Sequence, residues 1–373
     1  MVAGRAVSSQ PSLDGGTGTV APVRGWRQVA WFRRAGAEPY RDDPCWTPPL
    51  PGEMDEPFQV GPGRAARWVL LAGGRPVGRI GAFLPEGRPG TGYFGCFECP
   101  DDPMGARQLL AAAEDWLVAR GCRECFGPLA GTARDRIGLL TEGFRRAALP
   151  FTPYNPAYYP RLLAAAGYAP RVHLRGYGWT PNLADTASVM APTARGRVRV
   201  RPLDPRRLAA ETRLVAALVN ETMADAWHYA PITPGEADQM ARLLRPILDP
   251  RIALVAEDEA GPCGVALAVP DINWLWRRAH ARPWPLGWLE LLRGRRRIPA
   301  ARMMALGVSR RVRGSAVAVR LIGQLHANGR AAGYASGELT QVFDDNHGMR
   351  RILDRLGFPV VRRYAVYHRS LPS

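Results

Sequence analysis

A chain of 373 residues is long enough for two domains with sizeable cores, because one domain is typical for roughly every 100 to 200 residues. Apolar residues make up 46% of it, without the run of about 20 that spans a membrane, so the composition indicates a globular protein outside the membrane. All 50 basic residues are arginine, which excludes Schiff-base lysines, a P-loop lysine and Ser-Lys dyads, while the net charge of +17 favours acidic or phosphate-bearing partners.

The first 25 residues are rich in Gly, Ser and Pro and lack the apolar core of a signal peptide. We predict that residues 1–25 form a disordered leader and that the protein is cytoplasmic.

The first half alternates strand and helix signals. Apolar alternation predicts a hairpin, a third strand, an amphipathic helix, a fourth strand, a second helix and a fifth strand. Their ranges are 68–71, 77–83, 93–99, 102–120, 125–129, 156–166 and 173–179. The pattern indicates a mixed α/β domain with an antiparallel start.

Two CxxC pairs, Cys96/Cys99 and Cys122/Cys125, have the spacing of a four-thiolate zinc site. The predicted helix between them would separate the pairs by roughly 25 Å at about 1.5 Å per residue. We therefore predict no metal.

A polar stretch over 181–197 predicts a linker between domains 26–180 and 198–373. The second domain repeats the mixed plan, and Thr233 with Glu236 forms a capping box that starts its second helix. Its predicted order is strand 198–201, a helix after Asp204, a helix to Leu248, strands 252–257, 265–270 and 303–308, helix 315–328, strand 336–342, helix 346–356 and strand 360–367.

The segment 306–316 reads LGVSRRVRGSA and follows a predicted strand. Its glycine turn opens directly into a helix, where converging backbone N–H groups at a positive helix end can bind a pyrophosphate. The predicted contacts are Leu306, Val308, Arg311, Arg313, Gly314, Ser315 and Ala316.

Arg311-x-x-Gly314-x-Ala316 resembles the R/Q-x-x-G-x-G/A signature of the GNAT (GCN5-related) N-acetyltransferases, and Asn346 with Leu356-Gly357-Phe358 is similar to that family's next motif. The resemblance implies an α/β GNAT fold that takes acetyl-CoA or another acyl-CoA as co-substrate. Asn346 is therefore a further candidate donor contact.

The chain from about Arg27 onward is similar to a bacterial family of paired GNAT-like N-acetyltransferases. The similarity lies in segments 40–50, 127–129, 138–144, 153–159 and 344–346. It implies two tandem GNAT folds. The phosphate-loop pattern is missing between Cys99 and Leu110, so we predict that the first domain is degenerate and acts as a lid or scaffold.

In the GNAT family an amine attacks the thioester directly, and a tyrosine often protonates the departing thiolate. Leu353 stands where many members carry that tyrosine, so Tyr364 and Tyr367 are the predicted substitutes. Glu338, a carboxylate among Gly and Leu on the strand after the loop helix, is the predicted base. Packing of the two tyrosines in the core and exposure of Glu338 at an edge are the structural alternatives.

Four residues are predicted to bind the acceptor amine: Asp271, Asn273, Trp227 and Tyr229. For the first two the alternative is a turn with Asx hydrogen bonds, and for the two aromatic residues it is ordinary core packing.

The sequence thus predicts an acyl-CoA-dependent N-acyltransferase that acts on a small amine. Two alternatives stay open: an aminoacyl-tRNA-dependent peptide-bond-forming transferase and a non-catalytic CoA-binding protein. The arginine run at Arg293, Arg295, Arg296 and Arg297 is either a solvated face or a docking site for a CoA 3′-phosphate, an acidic carrier protein or tRNA.

Overall fold

The computed structural model describes residues 18–49, 54–129, 131–132, 134, 136–183, 198–280, 294 and 297–372. Residues 184–197 of the predicted linker 181–197 and most of the predicted leader lie outside this description, as do Arg293, Arg295 and Arg296 of the arginine run. Helices and strands alternate as expected for a mixed α/β protein.

The strands are β1 Thr19–Pro22, β2 Ala65–Ala72, β3 Arg75–Phe83, β4 Thr91–Glu98, β5 Glu124–Gly127, β6 Leu139–Glu142, β7 Ala169–Trp179, β8 Arg199–Pro202, β9 Ala253–Asp258, β10 Gly261–Pro270, β11 Ala300–Val308, β12 Ser336–Phe343 and β13 Val360–Ser370. The helices are α1 Trp26–Arg34, α2 Pro103–Val118, α3 Tyr159–Ala165, α4 Leu208–Met223, α5 Pro234–Leu244, α6 Ile272–His280, α7 Val317–Ala331 and α8 His347–Arg355.

The strands join into a single mixed sheet in the order β1-β2-β3-β4-β5-β13-β7-β12-β11-β10-β9-β8, and β6 pairs with β13. The two halves exchange their final strands across this sheet. Strand β13, the last in the chain, lies between β5 and β7, while β7 of the first half pairs with β12 of the second. Each half therefore completes the sheet of the other.

Helices cover the sheet on both faces. In the second half, Val265, Leu267 and Val269 of β10 face α4 and α5, whereas Cys263 and Ala266 of the same strand face α7. Residues 265 to 269 alternate because of the two-residue period of a strand with both faces buried, whereas Cys263 precedes them at a register shift between Pro262 and Gly264. In the first half, α2 and α3 pack on one face against a core of aliphatic and aromatic side chains.

The structure corrects the predicted leader, because Thr19–Pro22 forms β1 and pairs antiparallel with β2. Sequence patterns also missed α1, β6 and α6. Strands β1 and β6 are each only four residues long. Helix α6 begins one residue after the end of β10, so no loop separates the two elements.

Segment 146–150 of the first half binds side chains of the second half through its backbone carbonyls. Arg362 Nη2 donates to Ala147 O at 2.6 Å, and Arg302 Nη1 donates to Pro150 O at 2.7 Å. Asn273 and Arg277 both donate to Ala148 O, at 3.2 and 3.0 Å. These bonds satisfy buried donors and fix segment 146–150 against the sheet.

The two parallel strand pairs differ between the halves. In the second half, β11 and β12 are paired only as far as Met303 and Leu339, although β11 continues to Val308. In the first half the corresponding space is closed, because Leu129 N donates to Phe94 O at 2.7 Å beyond the last residue of β5. The strand pairing of the second half therefore ends early, and we call the unpaired region beyond Met303 and Leu339 the β11/β12 split, whereas the first-half pair stays closed.

Gly95→Ala should disrupt the closed pair. A Cβ at Gly95 would lie 2.0 Å from Leu129 O, a backbone atom that cannot rotate away. We expect a loss of about 3 kcal/mol in the free energy of unfolding, measured by urea denaturation.

The control is Gly235→Ala in α5, where an added Cβ meets nothing within 4 Å. It should leave stability unchanged or raise it by about 0.5 to 1 kcal/mol. Equal effects of the two substitutions would contradict the closed pairing.

Candidate functional site

The turn between β11 and α7 has the geometry of an anion site. Helix α7 begins at Val317 with Ala316 as N-cap, two residues later than predicted, so its first N–H groups lack intrahelical partners. Gly314 has φ +84°, a Cβ added there meets nothing within 4 Å, and residues 313–315 are exposed. A phosphate can therefore approach the amides of this turn.

Carboxylates hold the base of the same turn. Glu221 Oε1 accepts hydrogen bonds from Arg310 N at 2.7 Å and Ser309 Oγ at 2.8 Å, and these donors lower the pKa of Glu221. Arg310 Nη2 donates to Asp225 at 2.7 Å.

Arg311 does not point to a ligand as predicted. Its Nη1 donates to Asp258 Oδ2 at 2.5 Å and its Nη2 to Gly261 O at 2.9 Å. The side chain thus ties the turn to the β9–β10 hairpin. Arg313 is exposed and, within the described residues, its side chain takes part in no hydrogen bond or ion pair, so it remains the predicted cation for a phosphate.

The β11/β12 split lies directly before this turn and carries Leu306 and Val308 on one wall. Beyond Met303, β11 is paired with β10 alone, and alternate backbone groups of an antiparallel strand point away from its partner. Alternate amide donors between residues 304 and 308 therefore point away from β10, on the side of the split. Arg302 bridges its closed end, with Nε donating to Thr340 Oγ1 at 2.8 Å.

Glu338 is not placed as the predicted base. Arg146 Nε donates to its Oε1 at 2.9 Å and Arg362 Nε donates to its Oε2 at 2.8 Å, and the side chain is 6% exposed. Two charge-assisted bonds occupy both oxygens and favour the carboxylate as a structural anion. Glu338 instead orients Arg362 toward segment 146–150.

The two predicted tyrosines lie in different cores. Tyr367 packs among Leu109 and Leu163 under the first-half helices, which excludes it from a site in the β11/β12 split. Tyr364 packs with Phe343, its hydroxyl is buried, and no partner for that hydroxyl occurs among the described residues. Burial raises the pKa of both phenols. Tyr364 alone remains a candidate acid.

The acceptor candidates Trp227 and Tyr229 lie on the loop between α4 and α5. The Trp227 ring contacts Phe126 of the first half at 5.5 Å between centroids and packs beside the core that contains Phe343. Tyr229 Oη donates to Asn220 Oδ1 at 2.7 Å, an interaction that fixes the loop. Trp227 is therefore better placed than Tyr229 to contact an acceptor amine.

Asp271 is a buried structural carboxylate, contrary to the predicted substrate role. It accepts a hydrogen bond from Trp274 N at 3.2 Å and pairs with Arg277 Nη2 at 3.4 Å. Burial raises its pKa to about 6. Asn273 lines a cavity and is the residue of this pair that a ligand can reach.

Asn346 forms the N-cap of α8, where its Oδ1 accepts a hydrogen bond from Met349 N at 3.1 Å. This bond occupies the oxygen of the Asn346 side-chain amide. The contact of Asn346 with an acyl-CoA stays a prediction. Leu353, in the position of the family tyrosine, is fully buried in the core below α8.

A cavity of about 170 Å³ lies on the sheet face that segment 146–150 covers. Its walls come from both halves and include Arg79 and Glu98 of the first half and Asn273 of the second. We call it the front cavity. Sequence reasoning missed Arg79 and Glu98, although an arginine in the interior of β3 and a glutamate that ends the otherwise uncharged β4 are the signals that mark them.

The first half lacks both donor-site features. Leu129 fills the space between its parallel strands, and Asp102 caps α2 by accepting a hydrogen bond from Met104 N at 2.9 Å. A carboxylate thus occupies the helix end where the second half offers free amides.

Across the described ranges, no group of three or more His, Cys, Asp and Glu side chains is arranged to hold a metal ion. Helix α2 separates the two CxxC pairs, and burial raises the pKa of Cys96 to about 11.

No protein-family model matches the chain. It is 26% identical to a bacterial ceramide synthase of Caulobacter vibrioides over 95% of this chain and 97% of that protein, and 28% identical to protein YghO of Escherichia coli over 89% and 90%. Among solved structures it is similar to a tandem GNAT protein from the clavulanic acid biosynthesis pathway, with a TM-score of 0.57, 16% identity and coverage of 95% and 99%. A GCN5-related N-acetyltransferase from Sphaerobacter thermophilus gives a TM-score of 0.52, 16% identity and coverage of 95% and 96%.

The chain has the tandem GNAT fold. This confirms the predicted fold class. Among the described residues, no helix has both the length and the apolar character that are needed to span a membrane.

Glu338→Gln tests the structural role of this carboxylate. The substitution removes the anion between Arg146 and the buried Arg362, so we expect a loss of about 3 kcal/mol in unfolding free energy. Urea denaturation measures it. Glu142→Gln, which removes a 67% exposed partner of Arg363, should cost less than about 1 kcal/mol. A fully stable Glu338→Gln protein would contradict the structural role.

Asp271→Asn tests the buried acid. Because its folded pKa of about 6 lies above the reference value of 3.8, the folded state holds a proton that the unfolded state loses between these pH values. Unfolding free energy should therefore fall as pH rises through this window.

At pH 7 the asparagine, which mimics the protonated acid, should stabilise the protein by about 1 to 3 kcal/mol, and the gain should vanish near pH 4. Chemical denaturation across pH 4 to 8 measures this, with Asp225→Asn, a 76% exposed carboxylate, as control. A pH-independent difference would refute the assignment.

Proposed function

We propose that the protein is an acyl-CoA-dependent N-acyltransferase whose donor site lies in the second half. The open turn at Gly314, directly after the β11/β12 split, is the observation that carries this proposal. An acyl-CoA has a pyrophosphate for the turn and a thioester that can enter the split. Both features occur together in the second half, and the first half has lost both.

The residues present fit a pyrophosphate mainly through backbone donors. Arg310 and Arg311 already pair with Asp225 and Asp258, Ser315 N donates to Val312 O, and Val317 N donates to Ser315 Oγ. The amides of residues 314, 316 and 318 and the Arg313 side chain therefore supply the contacts. The same carboxylates hold the turn in position before the donor arrives, which lowers the cost of ordering it.

The alternate amide donors between residues 304 and 308 on the side of the split can stabilise the oxyanion that forms when an amine attacks the thioester carbonyl. In this proposal Tyr364 is the candidate proton donor to the departing thiolate. Removal of the proton from the amine falls to solvent or an ordered water, because Glu338 is occupied by two arginines.

The acceptor belongs to the class of long-chain amines in this proposal. The support is the name of the full-length relative, a bacterial ceramide synthase, since a ceramide is an amide between a fatty acyl group and a long-chain amino alcohol. We therefore widen the predicted small amine to a lipid amine, and the donor from acetyl-CoA to fatty acyl-CoA. Both donor lengths belong in the assay.

Gly314→Glu tests the donor site. The added carboxylate would repel the pyrophosphate at the open turn, so we expect the dissociation constant for acyl-CoA to rise by about ten-fold or more. Isothermal titration with acetyl-CoA and palmitoyl-CoA measures binding, and thiol release in the presence of sphinganine measures transfer.

Gly333→Glu is a matched control. Gly333 follows the other end of α7, has φ +83° and also meets nothing within 4 Å, so it carries the same backbone strain and the same added charge. It should leave acyl-CoA binding unchanged. Equal weakening by both substitutions, or absence of acyl-CoA binding to the wild type, would refute the donor site.

A further inference from the structure

The front cavity holds an ion pair whose contact distance is long. Arg79 Nη2 lies 3.4 Å from Glu98 Oε1, whereas charge-assisted bonds are usually about 2.7 to 2.9 Å. Both side chains line the cavity. Arg79 can therefore still donate, and Glu98 can still accept, a further hydrogen bond.

Glu98 is held firmly by one oxygen only. Its Oε2 accepts hydrogen bonds from Tyr40 Oη at 2.8 Å and Tyr159 Oη at 2.6 Å. Within the described part of the chain, Oε1 receives only the long contact from Arg79. It is also the single carboxylate among the residues that line the cavity. One carboxylate oxygen is thus available to a cationic donor.

Arg79 has a donor to spare. Its Nη1 donates to Phe32 O at 2.9 Å, and the residue is 4% exposed. Its Nε is buried and finds no hydrogen-bond partner among the described residues. A buried unpaired N–H destabilises a protein unless a ligand supplies an acceptor, so an oxygen atom is the complementary group.

The surroundings favour a small polar head. Trp46 lines the cavity and stacks on Tyr40 at 4.9 Å between centroids, which provides an aromatic wall beside Glu98 for an ammonium. A volume of about 170 Å³ holds roughly five to six groups of water size, at about 30 Å³ each. The cavity admits a head group, while a long chain must extend outside it.

We propose that the front cavity binds the head of a 2-amino alcohol, with its ammonium on Glu98 Oε1 and its hydroxyl oxygen accepting from Arg79 Nε. This rests on the proposed function only in the choice of a 2-amino alcohol as the ligand class; the binding itself requires no acyl transfer. Four strands, β5, β13, β7 and β12, lie between β4, which carries Glu98, and β11, so the first half supplies a ligand site that is separate from the donor site.

The test compares three probes on the wild-type protein by isothermal titration without acyl donor. The probes are 2-aminooctan-1-ol, octan-2-amine, which lacks the hydroxyl, and octane-1,2-diol, which lacks the charge. We expect the amino alcohol to bind at least about ten-fold more tightly than the diol, with the amine between them. A diol that binds as tightly as the amino alcohol would overturn the proposal without recourse to a variant.

Glu98→Gln gives the residue assignment. We expect it to weaken amino alcohol binding by about ten-fold and to leave diol binding unchanged, which also shows that the variant is folded. The matched control is Glu114→Gln, a carboxylate that also accepts from a tyrosine and an arginine, Tyr168 and Arg369, but lies outside the cavity.

Unchanged amino alcohol binding in Glu98→Gln would overturn the assignment, as would equal weakening by Glu114→Gln. Thiol release with acyl-CoA is scored separately. Amino alcohol binding without transfer would contradict the proposed function and leave the cavity assignment standing. Transfer by the wild type, together with unchanged amino alcohol affinity in Glu98→Gln, would support the proposed function and contradict the cavity assignment.

Discussion

The buried guanidinium of Arg362 links the main parts of the molecule. It is 1% exposed, its Nε donates to Glu338, and its Nη2 donates to the carbonyls of residues 146 and 147. A charge this deeply buried requires a paired anion and hydrogen-bond acceptors, so the strand that carries it, the strand that carries Glu338 and the first-half segment must stay together. The face that contains the front cavity depends on this arrangement.

The asymmetry of the two halves follows from two local changes on a shared plan. Both have a parallel strand pair followed by a helix, yet Leu129 closes one pair, whereas the other separates beyond Met303. At the helix ends, Asp102 supplies a carboxylate in the first half, whereas Gly314 leaves amides open in the second. The first half keeps its architecture and loses a donor site, which frees its polar residues for another ligand.

Sequence reasoning predicted the repeating order of elements, because apolar periodicity is a local signal. It also predicted the turn at Gly314, because a glycine followed by small residues is a local signal as well. It did not predict the exchange of β7 and β13, since strand partners are set by tertiary pairing rather than by local pattern. Glu338 shows the same limit. Its sequence neighbours suggest an acid in a cleft, but the arginines that neutralise it are 192 and 24 positions away.

The position of β13 in the sheet has a consequence for synthesis of the chain. Ribosomes deliver residues in order, so β5 and β7 emerge with unpaired edges and wait for the final eleven-residue strand before the sheet can close. The halves cannot mature one after the other as independent units. A nascent chain of this kind is exposed to edge-to-edge association until β13 leaves the exit tunnel, and loss of β13 would damage the first half as much as the second.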